Sequence, residues 1–135
     1  MLLLVFTINR NKFGIPLDRV AYIAENIGYV DSAAASGHIR GTTILRDEVT
    51  LVYDLASRFG YDSSKAEKSV IVVSNEKSKL AIEVEKIDGI KFWEECICEE
   101  IPEIVKNTEI CVQYAVSFQE ELILMLDIDK LLDAR

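Results

Sequence analysis

The chain has 135 residues, half of them hydrophobic and 28% charged, the size of one domain able to build a core without metals or disulfides. Its net charge of −8 comes from residues 61–135, because residues 1–60 carry six basic and six acidic side chains. Without a basic cluster to neutralise phosphates, nucleic acids and anionic membrane surfaces are excluded as partners, and no apolar run reaches the roughly 18 residues of a membrane span.

Strand signals dominate from the start. Leu2–Ile8 is apolar on both faces, as a strand buried on two sides should be. It has no basic residue ahead of it and no small-residue cleavage site behind it, so it reads as a strand of a cytoplasmic protein and not as a signal peptide. Asn9-Arg10-Asn11-Lys12 forms a turn into a short strand over Phe13–Leu17, where Pro16 fits only at an edge or a strand end. Val20–Ile27 is a further strand. Asp31–Gly37, with a capping residue, three alanines and a terminating glycine, reads as one helical turn within a loop. Ile44-Leu45 and Val49–Tyr53 flank Arg46-Asp47-Glu48 as a hairpin, with Val49, Leu51 and Tyr53 on one face. Asp54 then caps a short helix that Gly60 ends. The polar residues 61–68 read as a connector between two halves of similar character.

In the second half Val70–Val73 is β-branched throughout, and Asn75–Ser78 turns the chain back. In the return strand Leu80, Ile82 and Val84 face one way, with Lys79, Ala81 and Glu83 facing the other. Residues 94–103 hold five glutamates and Pro102 and read as a solvated loop or a short acidic helix. Ile110, Val112, Tyr114, Val116 and Phe118 then alternate with Cys111, Gln113, Ala115 and Ser117. Gln119-Glu120-Glu121 turns into Leu122–Leu126, and a closing helix from Asp127 or Asp129 carries the stripe Ile128, Leu131, Leu132. Many short strands with only stubs of helix predict a mainly-β barrel or sandwich, without a repeat of fixed period.

Catalytic constellations are missing. The six glycines form no phosphate-binding loop. His38, the sole histidine, reads as a half-exposed structural residue. Cys96, Cys98 and Cys111 plus His38 would make four zinc ligands, but the C-x-C spacing and the distant histidine favour incidental reduced thiols. A thiol redox protein using Cys96 and Cys98 is the enzyme-class alternative. It is disfavoured by the same spacing and by the lack of a neighbouring base to lower a thiol pKa. No metal and no cofactor is expected.

From Leu4 to Gly60 the chain resembles the CheW-like domain family, the adaptors of bacterial chemotaxis. Leu4–Ile8, Phe13-Gly14-Ile15-Pro16-Leu17 and the spacing of Val20 and Ile23 are similar to its opening. Ile39-Arg40-Gly41, Ile44-Leu45-Arg46 and Val49–Leu55 look like its most specific signature, closed by Arg58-Phe59-Gly60. Val70–Val73, Lys79–Ile87, Ile101-Pro102 and Leu122–Leu132 follow in the family's order. The chain departs from the pattern at Asp47, where a glycine follows the signature arginine, and at Gln113, near another common glycine. Glu85 replaces an aspartate, and the usual prolines are missing from Ala33–His38. An acid at position 47 is placed to pair with Arg46 and reduce its availability.

The resemblance implies a mainly-β fold of two intertwined five-stranded SH3-like β-barrels with short helices, the whole chain forming one CheW-like domain. It implies no enzymatic activity. Its partners would be the histidine kinase CheA, through the kinase's own CheW-like regulatory domain, and the cytoplasmic tip of methyl-accepting chemoreceptors. Direct membrane binding is not expected. Carried onto this chain, Arg46 with Gly41 and Leu45 matches the receptor-docking signature. Val20, Tyr22 and Ile23 match a strand near the kinase and receptor contacts, and Val84 matches the second-barrel side of the groove. A CheW-like scaffold rewired to another two-component system is the alternative that the departures permit.

Overall fold

The protein, seen here as a computed structural model, is described over residues 1–25, 30–31, 38–61, 69–95, 97–99 and 112–133. Within those residues the strands are β1 (Leu2–Ile8), β2 (Asn11–Pro16), β3 (Val20–Ala24), β4 (Val30–Asp31), β5 (Ile39–Leu45) and β6 (Glu48–Tyr53). After helix α1 (Leu55–Arg58) come β7 (Ser69–Ser74), β8 (Lys79–Val84), β9 (Lys86–Phe92), β10 (Ile97–Glu99), β11 (Val112–Phe118), β12 (Glu121–Leu126) and helix α2 (Ile128–Asp133). The fold is mainly β, as the sequence implies.

Three hairpins close in two residues: Asn9-Arg10, Arg46-Asp47 and Gln119-Glu120. All six residues have φ between 48° and 68°, the type I′ geometry whose twist matches the flanking strands. None is glycine, so each turn carries a left-handed backbone cost of about 1 kcal/mol per residue, which strand pairing must offset.

Sheet 1 has the strand order β10-β11-β12-β2-β1-β9 and sheet 2 the order β3-β7-β8-β6-β5-β4. Neighbours are antiparallel except β12 with β2 and β6 with β8, which are parallel. Each sheet thus has five longer strands and one short edge strand, β10 or β4. The short edge is the difference from the expected five.

The two sheets follow one plan. Sheet 2 uses β3 to β8 in chain order, and sheet 1 uses β9 to β12 followed by β1 and β2. At the parallel junctions Met125 lies opposite Gly14 in one sheet and Val52 opposite Ala81 in the other. The pairing of β3 with β7 skips Ala21, and the pairing of β9 with β1 skips Asp88. The pairing of β5 with β6 skips Arg40, and that of β11 with β12 skips Gln113. Each skipped residue is a bulge. After β6 and β12 an aspartate caps a helix in the same way: Asp54 Oδ1 accepts from the Ser57 N–H at 3.2 Å, and Asp127 Oδ1 from the Lys130 N–H at 3.1 Å.

The duplication corrects the expected organisation. The chain enters the second copy part-way through it, so no simple repeat period is visible. Residues 61–68 do not divide the units, because the strands on either side, β6 and β7, both belong to sheet 2; residues 62–68 themselves lie outside the described residues. The sheets meet instead at the short connections from β2 to β3 and from β8 to β9.

Both sheets bury both faces. Between them lies a central core with Leu4, Phe6, Phe13 and Ile15 from sheet 1 and Tyr53, Ile71, Val73, Leu80, Ile82 and Val84 from sheet 2, closed by Leu55 of α1 and Ile128, Leu131 and Leu132 of α2. Phe6 stacks on Phe13 at 5.6 Å, and Phe13 meets Phe59 at 4.8 Å. On its other face sheet 1 buries Leu3, Val5, Val116, Ile123 and Met125, and sheet 2 buries Val70, Val72 and Ala81. That is why β1 and β7 read as continuous apolar runs.

Two further expectations change, and a third falls outside the described residues. The alternation expected through Val112–Phe118 breaks at the Gln113 bulge, so Val112 packs on the central core while Val116 and Phe118 pack on the core of sheet 1. Within the acidic stretch 94–103, Glu94 and Glu95 belong to a 3₁₀ turn at Trp93–Glu95, and Ile97–Glu99 form β10, paired with Ala115–Ser117; Cys96 and residues 100–103 lie outside the described residues. The helical turn expected at Asp31–Gly37 lies outside the described residues, apart from Asp31, which ends β4.

A Cβ added to Gly14 would stand 2.6 Å from Met125 Sδ and 3.1 Å from Ile123 Cγ2, whereas the equivalent Ala81 faces the shorter Val52. Gly14→Ala is therefore expected to cost about 1–3 kcal/mol in a denaturant melt, and adding Met125→Val should recover part of that loss.

Candidate docking surface

Of the residues singled out from sequence, the structure brings three together. Arg46 sits exposed in the β5–β6 turn, and its guanidinium carbon lies over the Tyr22 ring, 3.7 Å from the centroid. Tyr22 on β3 and Leu45 at the end of β5 are half-buried against Val70, Val72 and Ala81. Arg46 thus points away from the core, and the sequence gives no sign of its contact with Tyr22. Strand β3 and the turn lie far apart in sequence, and only the sheet order carries the side chains together.

The other candidates lie elsewhere. Ile23 is exposed at 41% on edge strand β3. Val20 packs on the central core, because the bulge at Ala21 turns Val20 and Tyr22 to opposite faces. Val84 is 1% exposed, in the central core with Leu80 and Ile82, so its side chain is not on the surface. Gly41 is buried within β5 opposite Val52.

Asp47 does not pair with Arg46. Among the described residues Arg46 has no ion pair, and the neighbouring Glu48 takes Lys79 Nζ at 3.1 Å. Asp47 has φ 64°, a conformation that suits the glycine expected there by resemblance. The reverse face of the hairpin carries a pair that the sequence reading missed: Ile44 and Val49 lie directly opposite each other and are 71% and 75% exposed. Leu45 half-buried and Ile44 exposed is the ordinary strand alternation, which would have marked Ile44.

Beneath the hairpin lies a charged cluster. The bulge residue Arg40 donates from Nε to Glu83 Oε1 at 2.6 Å, and its Nη2 lies 3.4 Å from Asp54 Oδ2. Glu83 and Asp54 are both buried, and the one guanidinium bridges them, tying β5 to β8 and to the cap of α1. His38 is structural here: its backbone carbonyl accepts from the Asp54 N–H at 2.8 Å, and Nδ1 lies 2.8 Å from Ser57 Oγ. At the opposite end Arg19 grips Asp129 with two bonds of 2.7 Å. The guanidinium holds the Asp129 carboxyl below its ordinary range, and the carboxylate raises Arg19 in return.

The sequence model of the CheW-like domain family matches residues 2–135. The chain belongs to the CheW-like domain family. Among solved structures it is similar to the scaffolding protein TtCheW from Thermoanaerobacter tengcongensis, with a TM-score of 0.80 and 17% identity over 93% of this chain and 88% of that one. Curated protein sequences give no match. Among the described residues of this CheW-like domain, no three His, Cys, Asp or Glu side chains are grouped to hold a metal ion. Cys96 and Cys111 lie outside the described residues. No described helix is long and apolar enough to cross a membrane.

Two expectations follow from this geometry. Asp47→Gly should relieve the left-handed strain of the turn and raise stability by about 0.5–1 kcal/mol, roughly 2–4 °C in a thermal melt. Arg40→Ala would remove the cation that the buried Glu83 and Asp54 share. A loss of about 3 kcal/mol or more is expected in chemical denaturation.

Proposed function

We propose that this CheW-like domain is a non-catalytic adaptor that couples chemoreceptors to the chemotaxis histidine kinase CheA. The family match along residues 2–135 carries the reading. The exposed cation at Arg46, free of Asp47, supports a docking role for the β5–β6 hairpin. In this reading the receptor's cytoplasmic tip engages Arg46 and Leu45, and the regulatory domain of CheA engages mainly another surface. The domain acts in the cytoplasm, at receptor arrays. Two docking surfaces on one rigid body raise the effective concentration of kinase at the receptor tip.

The test is titration calorimetry with the purified CheA regulatory domain and with a receptor-tip fragment. Arg46→Glu should weaken receptor binding more than tenfold, about 2 kcal/mol, and leave kinase binding nearly unchanged. Its stability should move by only about 0.5 kcal/mol. Gln119→Glu, at the equivalent turn of sheet 1, should change neither affinity. Wild-type protein that binds neither fragment would sink the adaptor reading. A large drop in melting temperature for Arg46→Glu would make Arg46 structural.

A further inference from the structure

We propose that Tyr22 is a positioning residue for Arg46, holding the guanidinium over its ring so that the free N–H groups meet a carboxylate on the docked partner. The inference rests on the adaptor reading and adds both the residue that prepares the contact and the chemistry of the group received. Its basis is the 3.7 Å approach of the Arg46 guanidinium carbon to the Tyr22 ring centroid. That distance is van der Waals contact, well inside the roughly 6 Å range of a cation–π interaction.

The surroundings make the arrangement specific. A long arginine side chain at a hairpin tip ordinarily samples many rotamers, and docking would have to freeze them. Here one face of the guanidinium is covered by an aromatic ring, while the group has no hydrogen bond or ion pair among the described residues. The acids beside it are turned to other uses: Glu48 binds Lys79, and Asp47 occupies the left-handed turn position. The ring is itself fixed, because Tyr22 packs beside Leu45 on Val70, Val72 and Ala81. A guanidinium held in place with its donors unused fits a carboxylate, which accepts the fork with two parallel bonds.

The matching location in sheet 1 shows what is particular to sheet 2. There the turn is Gln119-Glu120 without a cation, and the ring–cation pair is instead Phe118 with Lys91, at 4.8 Å. Among the described residues, Arg46 is the one hairpin-tip arginine backed by a ring.

The experiment compares Tyr22→Phe, which keeps the ring, with Tyr22→Leu, which keeps apolar packing but removes the π face. Both are measured for binding to the receptor-tip fragment, alone and together with Arg46→Ala. Proton–carbon correlation spectra of the free proteins report the ring-current shift of the Arg46 δ-methylene. Tyr22→Phe should bind like wild type and keep the upfield shift. Tyr22→Leu should lose the shift and bind roughly three- to fivefold more weakly, with no further loss once Arg46 is alanine. Equal affinity for the Leu and Phe variants, with Arg46→Ala still weakening binding, would overturn the positioning role. So would an equal loss from Tyr22→Leu in the Arg46→Ala background, which would reveal a packing role alone. Wild-type protein that keeps the ring-current shift but binds no fragment would remove the docking role together with the adaptor reading and leave only the intramolecular stack.

Discussion

The fold depends on burying both faces of two sheets with a limited supply of helix. A sheet presents two surfaces, and α1 and α2 have four and six residues, too little to cover them. The solution is mutual: each sheet offers one face to the other, and Phe6, Phe13 and Ile15 meet Tyr53, Ile71 and Ile82 in a shared core. Each remaining face packs a smaller core of its own. The short helices then need only close the rim, which Leu55 and Leu131 do, both fully buried.

Bulges decide which side chains reach that shared core and which remain at the surface. A strand with strict alternation would place Val20 and Tyr22 together. The extra residue Ala21 sends Val20 inward and leaves Tyr22 beside the turn that carries Arg46. At Arg40 the same device delivers a cation to two buried carboxylates, and at Asp88 it sets a carboxylate 2.9 Å from Lys12 Nζ and 2.6 Å from Thr7 Oγ1. The surface that carries the proposed docking site is therefore shaped by insertions of single residues into otherwise regular strands.

Much of this was legible in the sequence. The β class, the hairpin at Arg46, the faces of β8 and the closing helix follow from periodicity and turn residues, which act over a few positions. The resemblance added the family and the importance of Arg46. What escaped is non-local. Strand order brings Tyr22 to Arg46, and no spacing in the sequence encodes that meeting. Val84 sits in the core because the β8 face carrying Leu80 and Ile82 is covered by sheet 1, a fact about partners and not about the strand. Asp88-Gly89 has the composition of a turn yet lies within β9, where the bulge against β1 and the φ of 135° at Gly89 absorb it. Arg46 meets the ring of Tyr22 from a distant strand and not the Asp47 expected to pair with it.

The permuted duplication has a bearing on how the chain assembles as it leaves the ribosome. Sheet 2 is drawn from one continuous stretch, Val20 to Val84, and has all its strands once that stretch has emerged. Sheet 1 is not. Strands β1 and β2 are made first, yet their neighbours β9 and β12 arrive only with Lys86–Phe92 and Glu121–Leu126. Until then the most apolar strand of the protein, Leu2–Ile8, has one hydrogen-bonding edge open and nothing to cover Leu3 and Val5. Such long-range closure slows folding and prolongs the exposure of sticky edges. The β1–β2 hairpin is thus enclosed only after every strand of sheet 2 has been made.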